Sequence, residues 1–266
     1  ITAAGLPEAT TLASDFPAFP SLAVLTPYLA AITAPGQDRV VITAIGVDPL
    51  DPTDIDAVVL ACIDGAAGFG QALTAGDVDG DGMPEVYIGF GESTVDHPNL
   101  VHVFDLADLS TLGAGCTDTT NADDPGLSIV DCPTLDGVDC TNASFGASLA
   151  LGDVDADGRA DLMVGAPRMT VDGKPAAGGV FVVAGSTSGI AATRSAFMQI
   201  SNPSGDDRLG ASLAALRTHY GIPGVTERYE VAAGAPGANA AFVFLCSGLG
   251  DDVSTTGSRC LELATE

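Results

Sequence analysis

Tryptophan is absent from this 266-residue chain, and only nine lysines and arginines stand against 35 aspartates and glutamates, a formal net charge of −26. So few cations exclude the positive patches that nucleic acid and anionic membranes require, and neither is an expected partner. No stretch of about 18 apolar residues occurs, so no helical membrane span is expected. Helical periodicity is scarce throughout. Histidine is rare too: His97, His102 and His219 are scattered. His102 alternates with apolar residues in LVHVF and reads as a strand residue, while His219 reads as a solvated loop residue. No nucleophile elbow of the G-x-S-x-G type and no phosphate-cradling glycine loop appear, so the chain is not expected to be an enzyme. The first residue is Ile1 and no signal-peptide pattern opens the chain, which points to a processed or trimmed product.

Acid is plentiful, and it is clustered. Residues 76–86 read GDVDGDGMPEV and residues 152–163 read GDVDADGRADLM. Asp77, Asp79, Asp81 and Glu85 in the first stretch match Asp153, Asp155, Asp157 and Asp161 in the second. Gly82 and Gly158 occupy the same place in each loop. Like charges this close repel unless something offsets them. Alternate acids in a tight loop point their oxygens at one centre, which suits a cation taking six to eight oxygens at roughly 2.3–2.6 Å, and Ca²⁺ is the expected choice. The residue after each turn glycine, Met83 or Arg159, would add its backbone carbonyl. An EF-hand begins similarly but needs a glutamate where Ile88 and Val164 stand, and it needs flanking helices. Here short β-like runs, EVYIGF and DLMVGA, follow instead, so the loops are read as structural calcium sites between strands.

Six cysteines are present, none in CxxC spacing, so zinc is not expected. An even count beside calcium loops suggests disulfides formed in an oxidising, calcium-rich compartment. The separation of Cys246 and Cys260 suits a bridge across one hairpin. Cys132–Cys140 is the second expected pair, and Cys62–Cys116 is what remains. Asn142-Ala143-Ser144 fits a glycosylation sequon.

The loops belong to larger repeats. Phe69-Gly70 and Phe145-Gly146 stand at the same remove before the first loop aspartate, and Gly89-Phe90-Gly91 and Gly165-Ala166-Pro167 follow. A third copy begins at Leu209-Gly210, repeats GASLA at 210–214, and ends in Gly234-Ala235-Pro236. It has lost the inner aspartates and should bind no calcium; Arg217 is expected to pair with Glu230 in place of the ion. The N-terminal part, from SLAVLTPYLAAIT to AVVLAC, reads as a worn copy, and residues 1–20, with Pro7, Pro17 and Pro20, as an extended arm. The expected organisation is an arm at 1–20, a degenerate blade at 21–64, calcium blades at 65–141 and 142–204, and a degenerate blade without calcium at 205–266. Small sheets that cannot bury their faces alone must stack on their neighbours, which makes an all-β propeller the expected fold.

The pattern FG…DVDxDGxxD/E…GAP resembles the FG-GAP repeat of the integrin α-subunit head, widespread also in bacterial surface proteins. The resemblance implies propeller blades, with Asp77, Asp79, Asp81, Met83, Glu85 and Asp153, Asp155, Asp157, Arg159, Asp161 as calcium ligands. It implies structural calcium on one face and partners bound elsewhere. The resemblance implies a ring of seven such blades, and this chain has room for about four. It is therefore expected to be a small propeller, a section of a longer protein, or an incomplete ring closed by another chain. The expected function is a non-catalytic, calcium-stabilised module for adhesion, recognition or assembly, extracellular or at a cell surface, with a protein partner or self-assembly. Alternatives are a carbohydrate-binding propeller or accessory domain of a secreted polysaccharide-degrading enzyme, and a structural subunit of an extracellular polymer. Glycan binding is disfavoured by the shortage of aromatic rings.

Overall fold

The computed structural model describes residues 3–8, 26–34, 38–47, 55–91, 100–107, 116–118, 127–133, 140–218, 228–246 and 260–263. Every named element among them is a strand, and the strands form four sheets. The fold is all-β, as the alternating apolar runs and glycine-bounded turns predict.

The first sheet joins β1 (Ala3–Glu8), β2 (Thr26–Ala34), β3 (Arg39–Val47) and β4 (Ile55–Asp64) in antiparallel order. Its outer strand comes from the expected extended arm: Ala3–Glu8 pairs with β2 through Ala3↔Ile32 and Ala4↔Ala31. Ala3–Glu8 thereby takes up the edge that β2 offers. In the second sheet β5 (Ala72–Gly76), β6 (Glu85–Gly89) and β7 (Leu100–Asp105) pair in sequence. A short strand, β8 (Cys116–Asp118), then leaves this sheet and pairs in parallel with β4, setting Cys116 opposite Cys62. The chain returns with β9 (Leu127–Asp131) as the fourth strand beside β7. The third sheet is β10 (Ser148–Gly152), β11 (Asp161–Ala166), β12 (Gly179–Ser186) and β13 (Gly189–Met198). The fourth is β14 (Ser212–Thr218), β15 (Arg228–Ala235), β16 (Ala240–Cys246) and β17 (Cys260–Leu263).

The first strands face one another in a row: β1 lies against β5, β5 against β10, and β10 against β14. Three apolar cores fill the spaces between successive sheets. Ala31, Val40, Ile42 and Ile63 of the first sheet meet Val86, Ile88 and Phe104 of the second. Val101 and Val103 meet Leu162, Val164 and Phe181. Met163, Val180 and Val182 meet Val231, Ala233 and Phe244. A side chain from the turn before each later sheet plugs the joint, Phe69 in the first core, Phe145 in the second and Leu209 in the third. The glycine after each plug has positive φ, and its N–H donates across its own sheet: Gly70 to Gly89 O (3.0 Å), Gly146 to Gly165 O (3.1 Å) and Gly210 to Gly234 O (3.0 Å). The Phe-Gly pairs in the sequence are therefore a plug and a turn. Because β6 and β11 lie between two neighbours, every residue in them is buried.

Among the described residues two disulfides brace this frame, Cys62–Cys116 and Cys132–Cys140. Both are pairings expected from the sequence. The first ties β8 to the first sheet. For the third expected pair, the backbone register sets Cys246 directly opposite Cys260.

Candidate metal centres

Each acidic loop connects the first two strands of its sheet. In the first, β5 ends at Gly76 and β6 starts at Glu85. The aspartates fold the loop upon themselves, as short acceptor side chains do. Asp77 accepts from the N–H groups of Gly80 (2.7 Å) and Gly82 (3.1 Å), Asp79 from Asp81 N–H (3.0 Å), and Asp81 from Met83 N–H (2.6 Å). Gly80 and Gly82 sit at φ 81° and 93°, where a Cβ is disfavoured. The outcome is convergence: Asp77, Asp79, Asp81 and Glu85 each offer an oxygen, and these oxygens all lie within 4.8 Å of one another.

Glu85 is the anchor of the cluster. It is only 4% exposed. Its Oε2 accepts from Val78 N–H at 2.9 Å, while its Oε1 is buried with no hydrogen-bond partner. Burial, with the charges of Asp79, Asp105 and Asp77, pushes its carboxyl up to about 7. An unpaired buried oxygen facing like charges is costly unless a cation joins them.

The second loop repeats the design between β10 and β11. Asp153 accepts from Asp157 N–H (3.0 Å) and Gly158 N–H (3.0 Å), and Asp155 also accepts from Asp157 N–H (3.1 Å). Asp161 is fully buried; its Oδ2 accepts from Val154 N–H at 2.8 Å and its Oδ1 from Gly185 N–H at 3.0 Å. Burial raises its carboxyl to about 7. Asp153, Asp155 and Asp161 bring their oxygens within 4.8 Å.

The structure departs from the sequence reading at two points, and it shows one further group of acids and thiols. Asp157 lies outside the second cluster. Its Oδ1 accepts from Arg159 N–H at 2.9 Å, and its Oδ2 lies 3.8 Å from the Arg159 guanidinium. A local cation thus draws that carboxylate away from the centre. In the worn third loop, the register sets Arg217 opposite Tyr229 and Glu230 opposite Leu216. Arg217 and Glu230 therefore sit on opposite faces of the fourth sheet, a register unlike the direct cross-strand pairing the sequence reading expected. Finally, a third group of potential ligands, Cys62, Asp64 and Cys116, is committed elsewhere, to the disulfide and to an Arg39–Asp64 pair.

Residues 69–104 and 145–183 match the FG-GAP repeat family. The chain carries two FG-GAP repeats. The first runs from the plug Phe69 through the first acidic loop to Phe104 in β7, and the second from Phe145 through the second loop to Val183 in β12. FG-GAP repeats are propeller blades, and each match takes in the plug, the loop and the three strands around it. Among curated proteins, no relative matches the chain.

Contacts between blades escape the sequence reading. Val78 of the first FG-GAP repeat meets Gly185 of the next sheet, and Tyr229 N–H of the fourth sheet donates to Asp153 O at 2.8 Å, bracing the second loop. The only sequence trace of either is a glycine at the contact. Gly152 lies so close to the Tyr229 ring that a Cβ would stand 2.8 Å from it. His102 is buried between Phe69 and Phe90, with ring centroids at 5.6 and 5.7 Å, which is a packing role. His97 and His219 lie outside the described residues.

Proposed function

We propose that this chain is a non-catalytic propeller module, stabilised by two structural Ca²⁺ ions, that serves adhesion, recognition or assembly outside the cell or at its surface. The observation that carries this reading is the buried, unpartnered Oε1 of Glu85 inside a four-carboxylate cluster. A hard divalent cation satisfies that oxygen and offsets the repulsion around it. Asp77, Asp79, Asp81 and Glu85, with the carbonyl of Met83, would hold one ion. Asp153, Asp155 and Asp161, with the carbonyl of Arg159, would hold the other. The ion supplies charge and rigidity at the hairpin between the first two strands of each blade. The disulfides support an oxidising compartment, and the FG-GAP repeats support a module of the integrin-like kind.

Thermal melting in calcium and in chelator tests this. An ion that binds only the folded state stabilises it by about 2.7 kcal/mol per site at a hundredfold excess over Kd. A clear rise in Tm with two ions bound per chain is expected. Unchanged melting, with no calcium retained after dialysis, would overturn the proposal.

A further inference from the structure

The two acidic loops share a plan but differ at the atoms that would meet an ion. In each, the last acid opens the second strand of its sheet, Glu85 in β6 and Asp161 in β11. Asp161 has both oxygens in use. Its Oδ2 accepts from the N–H groups of Val154 (2.8 Å) and Asp155 (3.4 Å), and its Oδ1 accepts from Gly185 N–H at 3.0 Å. Glu85 uses only Oε2, which accepts from Val78 N–H at 2.9 Å and from the Tyr87 hydroxyl at 3.5 Å. Its Oε1 is buried and has no hydrogen-bond partner.

The strand registers account for this difference. Val86 pairs with Phe104, and Leu162 pairs with Val183. Counting on from those pairs, Leu106 stands in the second sheet where Gly185 stands in the third. Gly185 approaches the loop so closely that a Cβ there would lie 2.3 Å from Ala160 O. Leu106 instead donates its N–H to Pro84 O at 3.3 Å, and Oε1 of Glu85 is left without a donor. One position earlier, Asp105 pairs with Glu85 and adds a negative charge, where the third sheet has Ala184.

The third acid of each loop differs too. Asp81 belongs to the first cluster, while Asp157 lies outside the second. Two positions on stands Met83 in the first loop and Arg159 in the second, and the Arg159 guanidinium lies 3.8 Å from Asp157 Oδ2. The first loop thus presents four converging carboxylates with one buried oxygen unsatisfied. The second presents three, the most buried of them already held by backbone donors, and it carries a cation of its own.

We infer that the two loops bind calcium unequally: the first is the tight site, and the second, where Arg159 stands in part for the ion, fills only at higher calcium. The inference rests on the calcium reading proposed above and gives it an order of filling. Affinity in such sites rises with the number of ligand charges, and a difference of about tenfold or more between the loops follows from their unequal sets. An unsatisfied buried oxygen is a cost in the ion-free fold that binding relieves. The second loop bears no such cost, because Gly185, Val154 and Asp155 already cover Asp161.

Isothermal titration of the chelator-treated chain with Ca²⁺ tests this. Two steps are expected, with dissociation constants about tenfold or more apart. Asp79→Ala should remove the tight step and Asp155→Ala the weak one. Arg159→Met gives the second loop the residue of the first and should tighten the weak step by roughly threefold to tenfold. Arg159→Lys keeps the charge and should leave the steps apart. Both Arg159 variants change an exposed side chain and retain the backbone carbonyl, so they serve even where an aspartate variant fails to fold. Two equal dissociation constants, a tight step that survives Asp79→Ala, or an Arg159→Met protein with its weak step unmoved would overturn the inference and leave the calcium reading standing. A folded chain that takes up no calcium would overturn both.

Discussion

Val78, in the first acidic loop, rests against Gly185, at the end of β12 in the next sheet. A Cβ at Gly185 would stand 3.0 Å from Val78 Cγ1 and would also collide with Ala160 O. The same Gly185 donates its N–H to Asp161 of the second loop, and Val78 donates its own to Glu85 of the first. One backbone contact therefore joins the buried acids of both loops. Loops in separate blades read as independent in the sequence, yet here they share a wall.

Gly185→Ala should accordingly weaken calcium at both sites, each by about tenfold, or about 1.4 kcal/mol. Asp155→Ala should weaken the second site strongly and the first by a smaller, measurable amount. Isothermal titration of parent and variants separates the two sites. A Gly185→Ala protein that loses affinity at one site alone would show that the wall does not couple them.

The buried acids also set a pH dependence in the metal-free protein. Burial raises both Glu85 and Asp161 to about 7, above the ordinary carboxylate range. A raised folded pKa contributes stability that is fully present below the unfolded value and is lost as pH rises through the folded one. In chelator, then, Tm should fall between about pH 4.5 and 7 as the clusters ionise. Excess calcium should remove most of that fall. Glu85→Gln, which keeps the shape and drops the charge, should flatten the metal-free profile while weakening calcium at the first site. Differential scanning calorimetry across this range reads both effects.

His102 works in the opposite direction. Burial lowers its pKa, and its Nδ1 has no hydrogen-bond partner between Phe69 and Phe90. A depressed folded pKa contributes stability present above the unfolded value, about 6.5, and lost as pH falls through the folded one. His102→Phe keeps the aromatic packing without the proton. Its Tm relative to the parent should rise steadily as pH drops below about 6.5. A constant difference across pH would show that the imidazole binds its proton equally well in the folded and unfolded chain.

What was legible in the sequence is what each repeat encodes locally. Alternating apolar runs mark the strands, and the aspartates mark loops whose side chains fold back on their own backbone. The plugs Phe69 and Phe145 announce themselves by the glycine that follows. Long-range features leave less trace. The place of Ala3–Glu8 in the first sheet depends on an edge offered by β2, not on any motif of its own. Asp157 is drawn off by Arg159, a competition that spacing alone cannot show. The close approach of Gly146 O to Gly89 and of Gly210 O to Gly165 needs only the absence of a side chain, and a strand glycine equally marks a bulge or a tight bend.

The two disulfides should differ in what they contribute. Cys62–Cys116 spans a sequence separation of 54 and Cys132–Cys140 one of 8. A crosslink restricts the unfolded chain more when the loop it closes is longer, which gives about 4 kcal/mol for the first and about 2.5 kcal/mol for the second in the chain-entropy treatment. The longer bridge also fastens β8, a three-residue strand paired in parallel to the edge strand β4, with little backbone pairing to hold it otherwise. The double variant Cys62→Ala, Cys116→Ala should therefore lose more stability than Cys132→Ala, Cys140→Ala. It should also expose the amides of Cys116–Asp118 to rapid hydrogen exchange. Urea unfolding and exchange mass spectrometry on the two variants check this. Equal losses, with β8 still protected, would mean that packing on the first sheet holds the strand without the bridge.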